Sequence, residues 1–149
     1  MTSTAVQDTA PFTFGTKAET LASIEPHLDK FVVPRSHHFS LRQWRDDFGA
    51  VLSDLSRRFP DETVIVRSSA HGEDGADNSM AGQFVSIADV CMATPGAVEA
   101  AITHVIASFD RNGAAGDPED QVLVQSMLSD VLMSGVLFTQ DLNTGAPYY

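Results

Sequence analysis

The sequence predicts an α+β fold: a mixed sheet with helices packed against it. Three features lead there. The run LRQWRDDFGAVLSDLSRRF repeats its apolar residues at the three- and four-residue spacing of one helical face. Short apolar runs such as TVIV and VLV are β-branched and bounded by polar loops, as strands are. The chain of 149 residues has the size of one domain and is long enough to bury a core.

The elements follow in chain order. Residues 15–28, GTKAETLASIEPHL, read as a turn and then a helix with Leu21, Ile24 and Leu28 on one face. FVVP, residues 31–34, reads as a short strand ended by proline. Ser40 and Gln43 form a capping box that opens a long helix. Its stripe is Leu41, Trp44, Phe48, Val51, Leu52, Leu55 and Phe59; Arg57 and Arg58 suit its C-terminal dipole, and Pro60 stops it. TVIV, residues 63–66, suits a strand buried on both faces. A long polar loop follows, and QFVSIADV, residues 83–90, alternates as a second strand does. Thr94 and Pro95 are a good N-cap and first-turn pair for a helix that turns Val98, Ala101, Ile102, Val105, Ile106 and Phe109 inward. After the polar loop 111–120, QVLVQSML and GVLFTQD predict two more strands, and DLNTG predicts a turn. The final APYY reads as a strand cut short, so the sequence is expected to be the N-terminal part of a longer protein. Residues 1–11 are expected to form a flexible tail, and 12–149 the domain.

Composition narrows the function. The net charge of −11 argues against a nucleic-acid partner held through its phosphates, and against anionic membrane surfaces. No apolar run is long enough to span a bilayer. The N-terminus lacks the basic and apolar regions of a signal peptide, and the one cysteine, Cys91, has no internal partner. A cytoplasmic location is the expectation. In so acidic a chain, an anionic ligand needs a few cations focused at one site.

Several residues are candidates for that chemistry. Arg67 leaves the TVIV strand with donors that match phosphate or carboxylate oxygens, beside Ser68 and Ser69, and the glycines of the following loop permit close backbone approach. A structural ion pair between Arg67 and Glu73 or Asp74 explains the same residue. Lys17 follows Gly15 just before a helix, where backbone N–H groups favour an anion; an ordinary solvated lysine is the simpler account. The five histidines lack metal-ligand spacing, Cys91 lacks a flanking cation and is expected to be a buried, inert thiol, and the acidic pairs suit solvated turns.

Two longer segments add a resemblance. VRSSAHGEDGADNSMAGQF is similar to the V-R-S-S-A, E-D and S-x-A-G-Q signature of the phosphoenolpyruvate synthase and pyruvate phosphate dikinase family. VLVQSMLSDVLMSGVLFTQDLNTG resembles that family's V-x-V-Q-x-M-V and S-G-V-x-F-T-x-D-x-x-T-G, while GTKAETL and VVPRSHHFS resemble its G-G-K-x-A-S-L and V-P-x-G-F segments. Order and spacing agree across residues 12–149.

The resemblance implies an ATP-grasp-like N-terminal nucleotide-binding subdomain that is incomplete at its C-terminus. It implies ATP as ligand and Mg2+ as cofactor, with the metal ligands beyond Tyr149. Lys17 and Arg67 would act on the ATP phosphates, with Ser68 beside them. Gly82 and Gln83 would belong to a loop closing over the nucleotide, and Gln125, Ser126 and Met127 to the strand and hinge at the adenine. The whole protein would transfer a phosphoryl group from ATP, through a phosphohistidine domain, to pyruvate. A dikinase or antibiotic phosphotransferase with another acceptor, or a non-catalytic nucleotide-binding module, are the alternatives. The sequence departs from the family pattern at Thr16, where a second glycine is usual, at Ser36, and in the short segment around Arg111.

Overall fold

A computed structural model describes residues 15–70, 85–110, 116–138, 140–141 and 143–147. The expected tail, most of the loop after Arg67 (with His71, Glu73, Asp74, Gly82 and Gln83) and Arg111 lie outside the described residues. The elements are α1 (Lys17–Ile24) with a 3-10 turn at Glu25–His27, β1 (Ser36–Ser40), α2 (Leu41–Arg58), β2 (Thr63–Ser69), β3 (Ser86–Cys91), α3 (Ala97–Ala107) and β4 (Gln121–Ser126).

The α+β prediction holds. The four strands form one sheet in the order β1-β4-β2-β3. Every pairing among the described strands is antiparallel, so the parallel component of the expected mixed sheet is not found there. β2 lies inside the sheet, with Val66 opposite Val124 of β4 and near Ile87 of β3, which suits its β-branched run.

One face of the sheet carries the main core. Phe39, Val64, Val66, Val90, Val122 and Val124 pack there with Leu55 and Phe59 at the end of α2, and with Ala101, Ile102, Val105 and Phe109 along α3. Each fully buried aliphatic side chain stabilises the fold by about 1.5–3 kcal/mol relative to exposure. Two buried apolar residues, Ala18 and Leu123, stand apart from this cluster. Leu123 alternates with Val122 and Val124 along β4, so it belongs to the opposite face.

Local chemistry explains the helix boundaries. Ser40 caps α2 through Gln43 N, and Gln43 answers to Ser40 N, as the capping box predicts. The helix is not continuous. Asp47 has φ −155° and ψ 79°, and its carboxylate accepts from Ala50 N at 2.9 Å, so it caps the second half of α2. The break takes Phe48 off the predicted stripe, and Phe48 is exposed. Thr94 does not cap α3. Its carbonyl instead accepts from Ala97 N across Pro95-Gly96, with Gly96 at φ 76°, which is the geometry of a type II turn. Gly96 is therefore the residue before the helix.

Two predicted strands are absent among the described residues. FVVP is not a strand: Phe31 and Val32 are exposed, and β1 begins at Ser36 beyond the proline. Pro34 lacks the N–H that a ladder needs, whereas Ser36 to Ser40 pair in register with β4. The segment GVLFTQD is not a strand either, and Val136, Leu137 and Phe138 are exposed. A strand needs a neighbour for its backbone groups, and only the isolated bridge Gln140–Pro147 forms there. The predicted Asp141 turn is present. The Asp141 carboxylate accepts from Asn143 N, Thr144 N and Thr144 Oγ1, and Gly145 takes φ 68°.

Candidate nucleotide-binding face

The face of the sheet away from α2 and α3 carries Ile65, Arg67 and Ser69 from β2, and Gln121, Leu123 and Gln125 from β4. The register sets Ile65 opposite Gln125, Arg67 opposite Leu123, and Ser69 opposite Gln121. α1 docks on this face by its N-terminus. Ala18 N donates to Ser69 Oγ at 2.9 Å, and Thr16 Oγ1 donates to Gln121 Oε1 at 2.8 Å. Three of the sequence candidates, Lys17, Arg67 and Gln125, are thus brought to one side of the sheet. Lys17 is at the Ser69–Gln121 end, Arg67 in the middle and the buried Gln125 two residues further along.

Arg67 is half-buried, and its Nε is buried without a hydrogen-bond partner. A buried unmatched donor costs about 1–3 kcal/mol, so such a group calls for an acceptor.

The α1 terminus differs from the simple anion cradle that a glycine, a lysine and a helix start suggest. Thr16 N donates to Glu19 Oε2, Ala18 N to Ser69 Oγ, and Glu19 N to Thr16 Oγ1. With these first-turn amides already engaged, the cation that α1 carries at this end is Lys17. Thr16 caps this helix and is buried.

The remaining candidates separate. Ser68 is buried but alternates with Arg67, so its hydroxyl faces the helix-covered side. Ser69 is the serine on the Arg67 face, and strand alternation from Arg67 is the signal that identifies it. Gln121, which holds α1 in place, carries no motif signal at all. Ser126 turns its hydroxyl to Glu62 Oε2 at 2.7 Å. The backbone N–H groups of Ser126 and Met127 are engaged by the Arg35 and Thr63 carbonyls, so neither is an open donor.

Elsewhere, a cleft of about 400 Å³ lies between β1 and α2. It holds none of the candidates, and its carboxylates Asp46, Asp47 and Asp54 oppose a phosphate. His37 lines it and contacts Asp54 at 3.2 Å. Burial and the nearby Arg58 charge hold the His37 pKa below its ordinary value, against the pull of Asp54. Cys91 is only half-buried, contrary to expectation. Hydrogen bonds from the Thr94 hydroxyl, then from the Ala93 backbone, lower its thiol pKa. No group of three or more His, Cys, Asp or Glu side chains among the described residues is arranged to hold a metal ion. No helix among them is long and apolar enough to cross a membrane.

Neither the curated proteins nor the solved structures compared with the chain give a match. Residues 42–148 match a family model described as pyruvate phosphate dikinase, AMP/ATP-binding domain. The match includes Arg67, Ser68, Gly82, Gln83, Gln125, Ser126 and Met127, and starts after Lys17. Because it spans well over half of the sequence and the sheet bears an ATP-grasp-like α+β arrangement, the chain belongs to the pyruvate phosphate dikinase AMP/ATP-binding domain family.

Proposed function

We propose that this chain supplies one wall of an ATP site in a phosphotransferase of the phosphoenolpyruvate synthase and pyruvate phosphate dikinase type. The observation that carries this is the buried, unpartnered Nε of Arg67 on an otherwise well-satisfied sheet face, inside the family-matched stretch. Phosphoryl transfer asks a protein mainly for positioning and for neutralisation of developing charge. Arg67 donates to the phosphate oxygens and holds the transferred group; Lys17 adds a second cation from α1. Gln125, further along the same face, lies toward the base. Gly82 and Gln83 belong to the loop that covers the nucleotide.

Mg2+ is part of this proposal, and when bound it would neutralise and bridge the terminal phosphates. The described residues do not themselves form a fitting site for it, since no three or more His, Cys, Asp or Glu side chains among them are grouped to hold a metal ion. The opposite wall and the metal ligands come from other parts of the protein. We assign the acceptor as pyruvate, reached through a phosphohistidine on a separate domain, in a cytoplasmic enzyme. This chain by itself is expected to bind ATP weakly and to turn nothing over.

Titration of the chain with Mg-ATP, followed by NMR, tests the proposal. Chemical-shift changes should centre on β2, β4 and the start of α1, and should vanish in Arg67→Ala. Binding that is indifferent to Arg67→Ala would refute the site. Tight, Mg-dependent binding by the chain alone would refute the single-wall arrangement.

A further inference from the structure

We infer that Gln121 and Thr16 are positioning residues: together they pin α1 to the sheet so that the Lys17 ammonium addresses the same phosphate chain as Arg67. The ligand in this inference rests on the nucleotide reading above; the geometry stands on its own hydrogen bonds. Gln121 uses both ends of its amide on one helical turn. Its Oε1 accepts from Thr16 Oγ1 at 2.8 Å, and its Nε2 donates to Glu19 Oε1 at 2.8 Å. Ser69, paired in register with Gln121, accepts from Ala18 N at 2.9 Å. The residues on either side of Lys17 are therefore each tied to the sheet.

Helix capping alone does not require this. Thr16 and Glu19 complete their capping box with each other, Glu19 N to Thr16 Oγ1 and Thr16 N to Glu19 Oε2. The Gln121 bonds come in addition, from a residue more than a hundred positions away in sequence. They determine where the helix start sits rather than whether it forms. With Thr16 buried and Ala18 held, the Lys17 backbone has little freedom left to lose when a phosphate binds. Such preorganisation increases affinity by reducing the entropy lost on binding.

Two measurements on the chain test the inference. In nucleotide-free protein, Gln121→Ala should speed amide exchange in α1 by about tenfold or more while β2 and β4 keep their protection. Unchanged exchange in α1 overturns the lock, whatever ATP does. In an ATP titration, Gln121→Ala should weaken binding by roughly tenfold, and this cost should disappear in the Lys17→Ala background, where no ammonium remains to be positioned. Fully additive losses, or wild-type affinity in Gln121→Ala, overturn the positioning role. Gln121→Glu leaves the Thr16 cap and an acceptor for its hydroxyl in place but sets a carboxylate against Glu19, so it should also loosen α1 and weaken binding; wild-type affinity and exchange in Gln121→Glu overturn the lock should Gln121→Ala fail to keep its sheet protection. Absence of Arg67-dependent ATP binding in the wild type would refute the nucleotide reading instead, and the exchange measurement would still decide the lock.

Discussion

Replacing Arg67 with methionine should make the free protein more stable and the nucleotide-binding protein worse. The unbranched side chain of methionine keeps most of the arginine's packing volume but removes the buried Nε, which has no partner. Leaving such a donor unmatched costs about 1–3 kcal/mol. Because the residue is only half-buried, the gain should fall at the low end, at about 1 kcal/mol. For a chain of this size that corresponds to a melting temperature higher by about 2–4 °C. Hydrogen bonds to a charged partner contribute about 1.5–3 kcal/mol each, so loss of one to phosphate should weaken ATP binding roughly 10- to 150-fold. Thermal melts with and without ATP measure both effects on the same samples. The wild type should gain from ATP what Arg67→Met does not. A Met variant that melts several degrees lower, with ATP stabilisation intact, would show that Arg67 is a structural ion-pair partner and would refute this account.

Other perturbations test the fold that holds the face. Ile102→Ala removes a fully buried side chain between α3 and the sheet, and should cost about 2–5 kcal/mol in denaturant unfolding; a cost under about 1 kcal/mol would contradict the packing. Gly96→Ala should cost about 1 kcal/mol through backbone strain alone, since φ is 76° and nothing lies within 4 Å of the added Cβ. Stability should fall in two stages on acidification. His37 is held below its ordinary value of 6.5, so the unfolded chain takes up that proton first and stability declines as pH falls below about 6.5. Asp54 is held to about 2 by hydrogen bonds from Arg58 and Arg57, so its contribution is present above 3.8 and is lost as pH falls toward about 2. Urea midpoints across this range should lose the upper stage in His37→Gln; its persistence would exclude His37 as the cause.

Much of the fold was legible in the sequence because its signals are local. Ser40 and Gln43 mark a helix start through chemistry contained within four residues, and the structure shows both reciprocal bonds. The periodic residues of α3 and the β-branched run of β2 report burial through spacing alone. The failures occurred where a residue's state depends on partners distant in sequence. FVVP and GVLFTQD have strand composition, but pairing decides whether a strand exists, and the chain pairs SHHFS instead. Asp47 sits inside a helical pattern and yet caps a new turn, because a short carboxylate competes with the backbone for the N–H of Ala50.

The site shows the same division. The sequence by itself determined the identity of the arginine at the end of a buried strand, the alternation that puts Arg67 and Ser69 on one side, and the family motifs that make the ligand a nucleotide. Only the tertiary structure decided which face of the sheet the helices α2 and α3 cover, leaving Arg67 and Ser69 on the other, that the Ser126 and Met127 amides are already engaged, and that Gln121 anchors the helix bearing Lys17. The physical reason is that a side chain's type is written at its own position, whereas its available hydrogen bonds depend on which neighbours the sheet register and the docked helix bring to it.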